Sequence, residues 1–312
     1  MVSRVILNHC NGEQATQITP YVFKYDPVNN TYFPNSCTIM PQGTMHGGPP
    51  SSLLLFEAIK ALNEANENPS TDQWNIVKFY VNLMKGVPIN FLKIKVTLEK
   101  QGRRVMQINA EMFHEDVKVA YANGTALKKS ILPPPRWTPT VSNVPNFQHD
   151  MKNNTYKPKI DEKETADDMG KLLDILILKT KENETKDAFF EIYGPKPAWF
   201  RMKFPLVEGY KTPIICRAML TADFGSGYSM VYLSPEQIYM INPDLEMIFD
   251  CNTVDFHEDV DEETKEWIHL NAVQTVDVND GYGIARTTLS AANGKKIGTV
   301  VASLIPSKWV FD

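Results

Sequence analysis

Residues 92–112 read LKIKVTLEKQGRRVMQINAEM, and this stretch decides the fold class. Leu92, Ile94, Val96 and Leu98 alternate with Lys93, Lys95, Thr97 and Glu99. After a Gln101-Gly102 turn, Met106, Ile108, Ala110 and Met112 repeat the alternation. Successive side chains of a strand point to opposite faces, so this pattern marks half-buried antiparallel strands, apolar inward and polar outward. It extends both ways: Val77, Phe79, Val81 and Leu83 give one face of a strand over 75–84, and Val117, Val119 and Tyr121 open another after a turn at 114–116.

The same order recurs later with hardly any residue identity. Residues 246–256 and 267–278 read as strands, followed by an Asn279-Asp280-Gly281 turn, a strand over 282–290, an Asn293-Gly294 hairpin signal and a strand over 296–305. Asn-Gly suits that hairpin because both residues tolerate positive φ. A repeated layout of this kind points to duplication.

Each meander is preceded by an apolar helix. The first spans 50–62, with Leu54, Leu55, Ala58, Ile59 and Leu62 on one face and Pro49-Pro50 at its start, where a missing N–H costs little. The second spans 213–224 and is apolar apart from Arg217, Thr221 and Asp223. An apolar helix wrapped by a curved antiparallel sheet is the hotdog arrangement, so the expectation is an α+β chain of two fused hotdog domains, 1–130 and 188–312. Between them, Pro133, Pro134, Pro135 and Pro139 open a linker, and the stripe of Leu172, Leu173, Ile175 and Leu176 predicts a connector helix over 161–181, the whole connection occupying 131–187.

Composition narrows the function. Hydrophobic residues are 43% and charged residues 22% of the 312, which is ordinary for a globular chain. A net charge of -5 argues against a nucleic-acid binder, and the pairs Arg103–Arg104 and Lys128–Lys129 read as solvated faces. The first residues lack the pattern of a secretory signal, no apolar run is long enough to span a bilayer, and the end is not a peroxisomal address, so a cytoplasmic location is expected. Cys10, Cys37, Cys216 and Cys251 are scattered and read as free thiols. No GxSxG elbow, HExxH or third glycine after Gly281 and Gly283 is present, so serine-hydrolase, zinc and dinucleotide chemistry find no motif, and neither metal nor cofactor is expected.

His46-Gly47-Gly48 before the first helix, RAMLTADFGSG at 217–227, and the closing stretch from Trp267 through TLSAANGKKIGTVVASL together resemble the double-hotdog acyl-CoA thioesterases of the thioesterase II type. The resemblance implies hydrolysis of fatty acyl-CoA by a water bound between an aspartate on the second helix and a hydroxyl residue and a glutamine on adjacent strands. The aspartate carries over to Asp223, and the hydroxyl position falls near Asn252 or Thr253. The glutamine's place is taken by Pro306, with Gln274 as a substitute in a different geometry. The resemblance leaves further association into homo-oligomers open.

The residues support this chemistry independently. A carboxylate ending an apolar helix beside a glycine-rich turn can act as a general base, its pKa raised by poor solvation. Gly47 and Gly48 allow an acyl carbonyl to approach backbone N–H groups at a helix start, with His46 beside them. The structural alternative for Asp223 is a cap or an ion pair with Arg217; for His46-Gly47-Gly48 it is a tight turn; His257 and His269 read as structural or exposed. Phe56, Phe200 and Phe204 read as core, or as lining of an acyl tunnel. The alternative function is a non-catalytic acyl-binding protein on the same fold, which Pro306 favours. A hotdog dehydratase ranks below both, because no histidine accompanies Asp223.

Overall fold

The computed structural model describes residues 21–38, 43–65, 74–128, 151–153, 155–157, 172–178, 198–231, 238–250, 261–274 and 283–308. A hairpin, β1 (Phe23–Asp26) and β2 (Thr31–Pro34), comes first. Helix α1 (Gly48–Glu64) follows, then the meander β3 (Trp74–Leu83), β4 (Lys93–Gln101), β5 (Val105–His114) and β6 (Val117–Lys128). Short β7 (Thr155–Tyr156), β8 (Leu173–Leu178) and β9 (Ala198–Met202) lead to α2 (Ile214–Val231). The chain continues through β10 (Ile238–Ile241), β11 (Asp244–Phe249), β12 (Ile268–Gln274), β13 (Gly283–Ala291) and β14 (Lys296–Lys308).

The alternating stretches become one continuous antiparallel sheet in the order β4-β5-β6-β3-β11-β14-β13-β12-β9-β8-β7, with β10 on the remaining length of β14. The two meanders join edge to edge where β3 meets β11, Val81 opposite Leu245 and Phe79 opposite Met247. That pairing satisfies the backbone of two strands that would otherwise be open edges. Helix α1 packs on β3–β6 and α2 on β9 and β12–β14, and the helices pack on each other. This is the α+β, helix-in-sheet architecture of the hotdog.

Each helix holds its place by apolar burial. Leu53, Leu54 and Leu55 of α1 are fully buried, each stabilising by about 1.5–3 kcal/mol relative to exposure. The β1–β2 hairpin lies over the same helix, where Tyr32 donates its hydroxyl to Glu57 at 2.5 Å. Burial first, and the Glu57 carboxylate second, push the Tyr32 phenol well above its ordinary value of 10.0.

Three expectations need correction. Of the segment expected as a connector helix over 161–181, residues 173–178 form strand β8, paired with β9, and residues 161–171 and 179–181 lie outside the described residues. Leu173 and Ile175 join the main core while Leu176, on the other face beside the half-buried Asp174, packs with Met151, Trp199 and Trp267, so apolar residues stand on both faces. A strand buried on two sides has no clean alternation and imitates a helix stripe. The second helix runs on past Phe224 to Val231. In β3 it is Ile76, not Val77, that is buried, because the register with β6 shifts between Ile76 and Lys78.

Candidate functional site

The two helices meet at the glycines that open α1. A Cβ on Gly48 would lie 2.6 Å from the Leu220 carbonyl oxygen and 3.2 Å from Asp223 Cβ; one on Gly47 would lie 2.7 Å from Asp223 Oδ1 and 2.8 Å from Leu83 Cδ1. The glycines are therefore fixed by close helix approach. Further along the crossing, Ser52 donates its hydroxyl to the Cys216 carbonyl at 2.7 Å. Gly48 with Ser52, and Cys216 with Leu220 and Asp223, thus bring the start of α1 against the middle of α2 with the chains antiparallel.

Asp223 is 6% exposed, and its carboxylate is held at both oxygens. The Gly48 N–H donates to Oδ2 at 2.7 Å, and Asn242 Nδ2 donates to Oδ1 at 2.7 Å and to the Asp223 carbonyl at 3.3 Å. Gly47, the N-cap residue, supplies no side-chain cap. The start of α1 is instead capped from the other half of the chain, an acceptor meeting the positive end of a helix. Pro49 and Pro50 have no N–H, and the Ser51 N–H goes to the Gly47 carbonyl. Gly48 is thus the first-turn donor turned to the carboxylate. Of the two structural alternatives for Asp223, a cap or an ion pair with Arg217, the structure shows the cap, while Arg217 pairs with Glu266.

Of the residues singled out in the sequence, the structure brings together Gly47, Gly48 and Asp223. His46 is half-buried, and its backbone N–H donates to the Thr38 carbonyl at 3.0 Å. Asn252, Thr253 and His257 lie outside the described residues. The backbone of Gln274 ends β12, opposite Arg286 and just past an irregularity in the β12–β13 register. Pro306 lies within β14, opposite Met240 of β10. His269 is buried with its ring 4.8 Å from that of Trp199. Phe56 and Phe200 are buried in the core, and Phe204 packs against it.

Sequence reasoning missed Asn242. It lies in the Asn242-Pro243-Asp244 connection between β10 and β11, where the dipeptide marks a turn but gives no hint of a partner 19 residues back. No helix among the described residues is long and apolar enough to cross a membrane, and no group of three or more candidate metal ligands occurs among them.

Helix-in-sheet halves and a shared helix crossing define a double-hotdog chain, and comparison with known proteins agrees. Residues 38–127 match the acyl-CoA thioesterase N-terminal domain family. A candidate thioesterase II of Thermobifida fusca superposes with a TM-score of 0.62 at 12% identity, over 89% of this chain and 93% of that one. The acyl-CoA thioesterase II TesB2 of Mycobacterium marinum superposes at 0.57 and 12% identity, over 93% and 96%. A hotdog-fold protein of unknown function from Alicyclobacillus acidocaldarius superposes at 0.55 and 11%, over 92% and 96%. No curated protein matches the sequence. The resemblance to acyl-CoA thioesterases of the TesB type is borne out in sequence within the first half and in fold along the chain.

Proposed function

We propose that the protein hydrolyses acyl-CoA thioesters, with Asp223 as the base that activates water. The observation that carries this reading is the 2.7 Å contact between the Asp223 carboxylate and the Gly48 N–H. A buried carboxylate and a helix-start donor thus share one site built from both halves. As a thioester enters, its carbonyl oxygen replaces Oδ2 as the acceptor for Gly48, where the helix dipole favours developing negative charge. Asn242 keeps its bond to Oδ1 and fixes the orientation of the freed carboxylate. Water then adds its oxygen to the carbonyl carbon and gives a proton to Asp223. Collapse of the tetrahedral intermediate breaks the C–S bond, and the CoA thiolate leaves and takes up that proton. The product is a free acid and CoA.

His46 and Gln274 are proposed as flanking contacts to substrate, and Asn252 or Thr253 as a hydroxyl or amide partner of the water. Domains over 1–130 and 188–312, a cytoplasmic setting and homo-oligomer formation belong to the same proposal. A second reading, a non-catalytic acyl-binding protein, is favoured by Pro306, which offers no hydrogen-bonding side chain where the resembled family has a glutamine. Thiol release from acyl-CoAs of graded chain length, by the natural chain and by Asp223→Asn, separates the two. Turnover that the substitution removes supports the hydrolase; no turnover with any chain length supports the binding protein.

A further inference from the structure

Away from Asp223, a cleft on the surface gathers charged side chains. It has a volume of about 570 Å³ and is lined by Asp174 of β8, Arg201 of β9, Lys203 beyond it, Lys211 before α2, Arg217 of α2 and Glu266 before β12. The volume is in the range that holds small organic ligands.

Four cations face two carboxylates, an excess of two positive charges in a chain whose overall charge is -5. The carboxylates are already committed. Asp174 accepts from Arg201 Nε at 3.1 Å and Nη2 at 2.6 Å, with Lys203 at 3.9 Å, and Glu266 pairs with Arg217. The two bonds to Asp174 fix the Arg201 guanidinium. The Arg201 guanidinium also lies 4.9 Å from the centre of the Trp267 ring. Arg217 is 8% exposed, so its charge acts through a medium less polar than water. Lys211 is exposed at the rim, and Met202, Phe204 and Pro205 supply an apolar wall. Guanidinium groups suit phosphoryl oxygens, to which they can donate the N–H groups that Asp174 and Glu266 do not take.

We propose that this cleft binds the phosphoryl groups of a nucleotide-sized ligand. It is separate from the Asp223 site: Arg217 precedes Asp223 by six residues on α2, about 9 Å along the axis, and pairs with Glu266 while Asp223 faces α1. The proposal stands on the cleft alone. Two sources share the chemistry: the phosphorylated nucleotide of a CoA ester, under the hydrolase reading, or an independent phosphorylated metabolite.

The test is isothermal titration of the full-length protein with adenosine 3′,5′-bisphosphate at two salt concentrations. The variants are Lys211→Glu at the rim and, as a control for net charge, Lys95→Glu on the exposed side of β4. Binding weakened about tenfold or more by Lys211→Glu and at most twofold by Lys95→Glu supports the cleft, since reversing a neighbouring charge acts on a phosphate at close range. No binding to the natural chain, or equal weakening by both variants, overturns it. The source is read from kinetics. If Lys211→Glu raises KM for acyl-CoA but not for the acyl-pantetheine thioester, the nucleotide is the substrate's own. If both KM values stay unchanged while the probe is lost, the ligand is separate. Failure of the titration with thioesterase activity intact removes this proposal and leaves the hydrolase reading standing.

Discussion

Replacing Asp223 by asparagine tests the site most directly, because both of its oxygens are in use. The new amide has one oxygen where the carboxylate has two, yet the Gly48 N–H and Asn242 Nδ2 both donate at 2.7 Å. The backbone donor cannot turn, so the amide oxygen must stay on Gly48. Asn242 then has to reverse its own side chain to meet the new NH2 group, giving up its 3.3 Å bond to the Asp223 carbonyl. The cost is about 1 kcal/mol, that of one hydrogen bond with the helix cap preserved. Asp223→Ala has no such escape. It strands both donors, and at about 1–3 kcal/mol for each buried unsatisfied group it loses about 2–6 kcal/mol. Urea unfolding should therefore give midpoints in the order natural, Asp223→Asn, Asp223→Ala, with similar slopes. Thiol release should fall about 100- to 10,000-fold in the folded Asp223→Asn protein, the usual contribution of a general base. Turnover within twofold of the natural chain would refute the base assignment. Equal stability of the two variants would refute the account of the paired donors.

Gly48→Ala places a methyl group 2.6 Å from the Leu220 carbonyl; it should destabilise by about 1–3 kcal/mol through overpacking, read by urea denaturation, and should lower turnover by moving the Gly48 N–H. Asn242→Ala removes the donor to Oδ1, so kcat for thioester hydrolysis should fall more than KM changes, while Asn242→Asp, which sets a second carboxylate against Asp223, should be worse still. Tyr32 makes stability sensitive to alkaline pH. Its folded pKa lies above the ordinary 10.0, so its contribution to stability is complete below about pH 10 and is lost as pH rises above it, at up to about 1.4 kcal/mol per pH unit. Denaturation at pH 9 and pH 11 should show a steeper decline for the natural chain than for Tyr32→Phe.

The alternating residues from Ile94 to Met112 needed nothing beyond themselves to be legible, since one buried face imposes the pattern locally. The second meander was legible for the same reason, and so was Asp223, because a carboxylate is conspicuous in an apolar helix. β8 was misread because apolar residues on both of its faces erase alternation. Asn242 was invisible, because nothing in a turn dipeptide tells which side chain 19 residues away it will meet. The β1–β2 hairpin also escaped notice, its strands being four residues each.

The sequence by itself determined that the chain forms apolar helices and half-buried strands in a repeated order, and it singled out Asp223 and the glycines before the first helix. Only the tertiary structure decided that these belong together. The Asp223 contact to Gly48 joins residues 175 positions apart, and it exists because β3 pairs with β11 and the glycines of α1 let α2 come close. Periodicity reports which face of an element is buried, but not what is buried against it. That partner is chosen by long-range packing, where one Cβ at a glycine would push the two halves of the site apart.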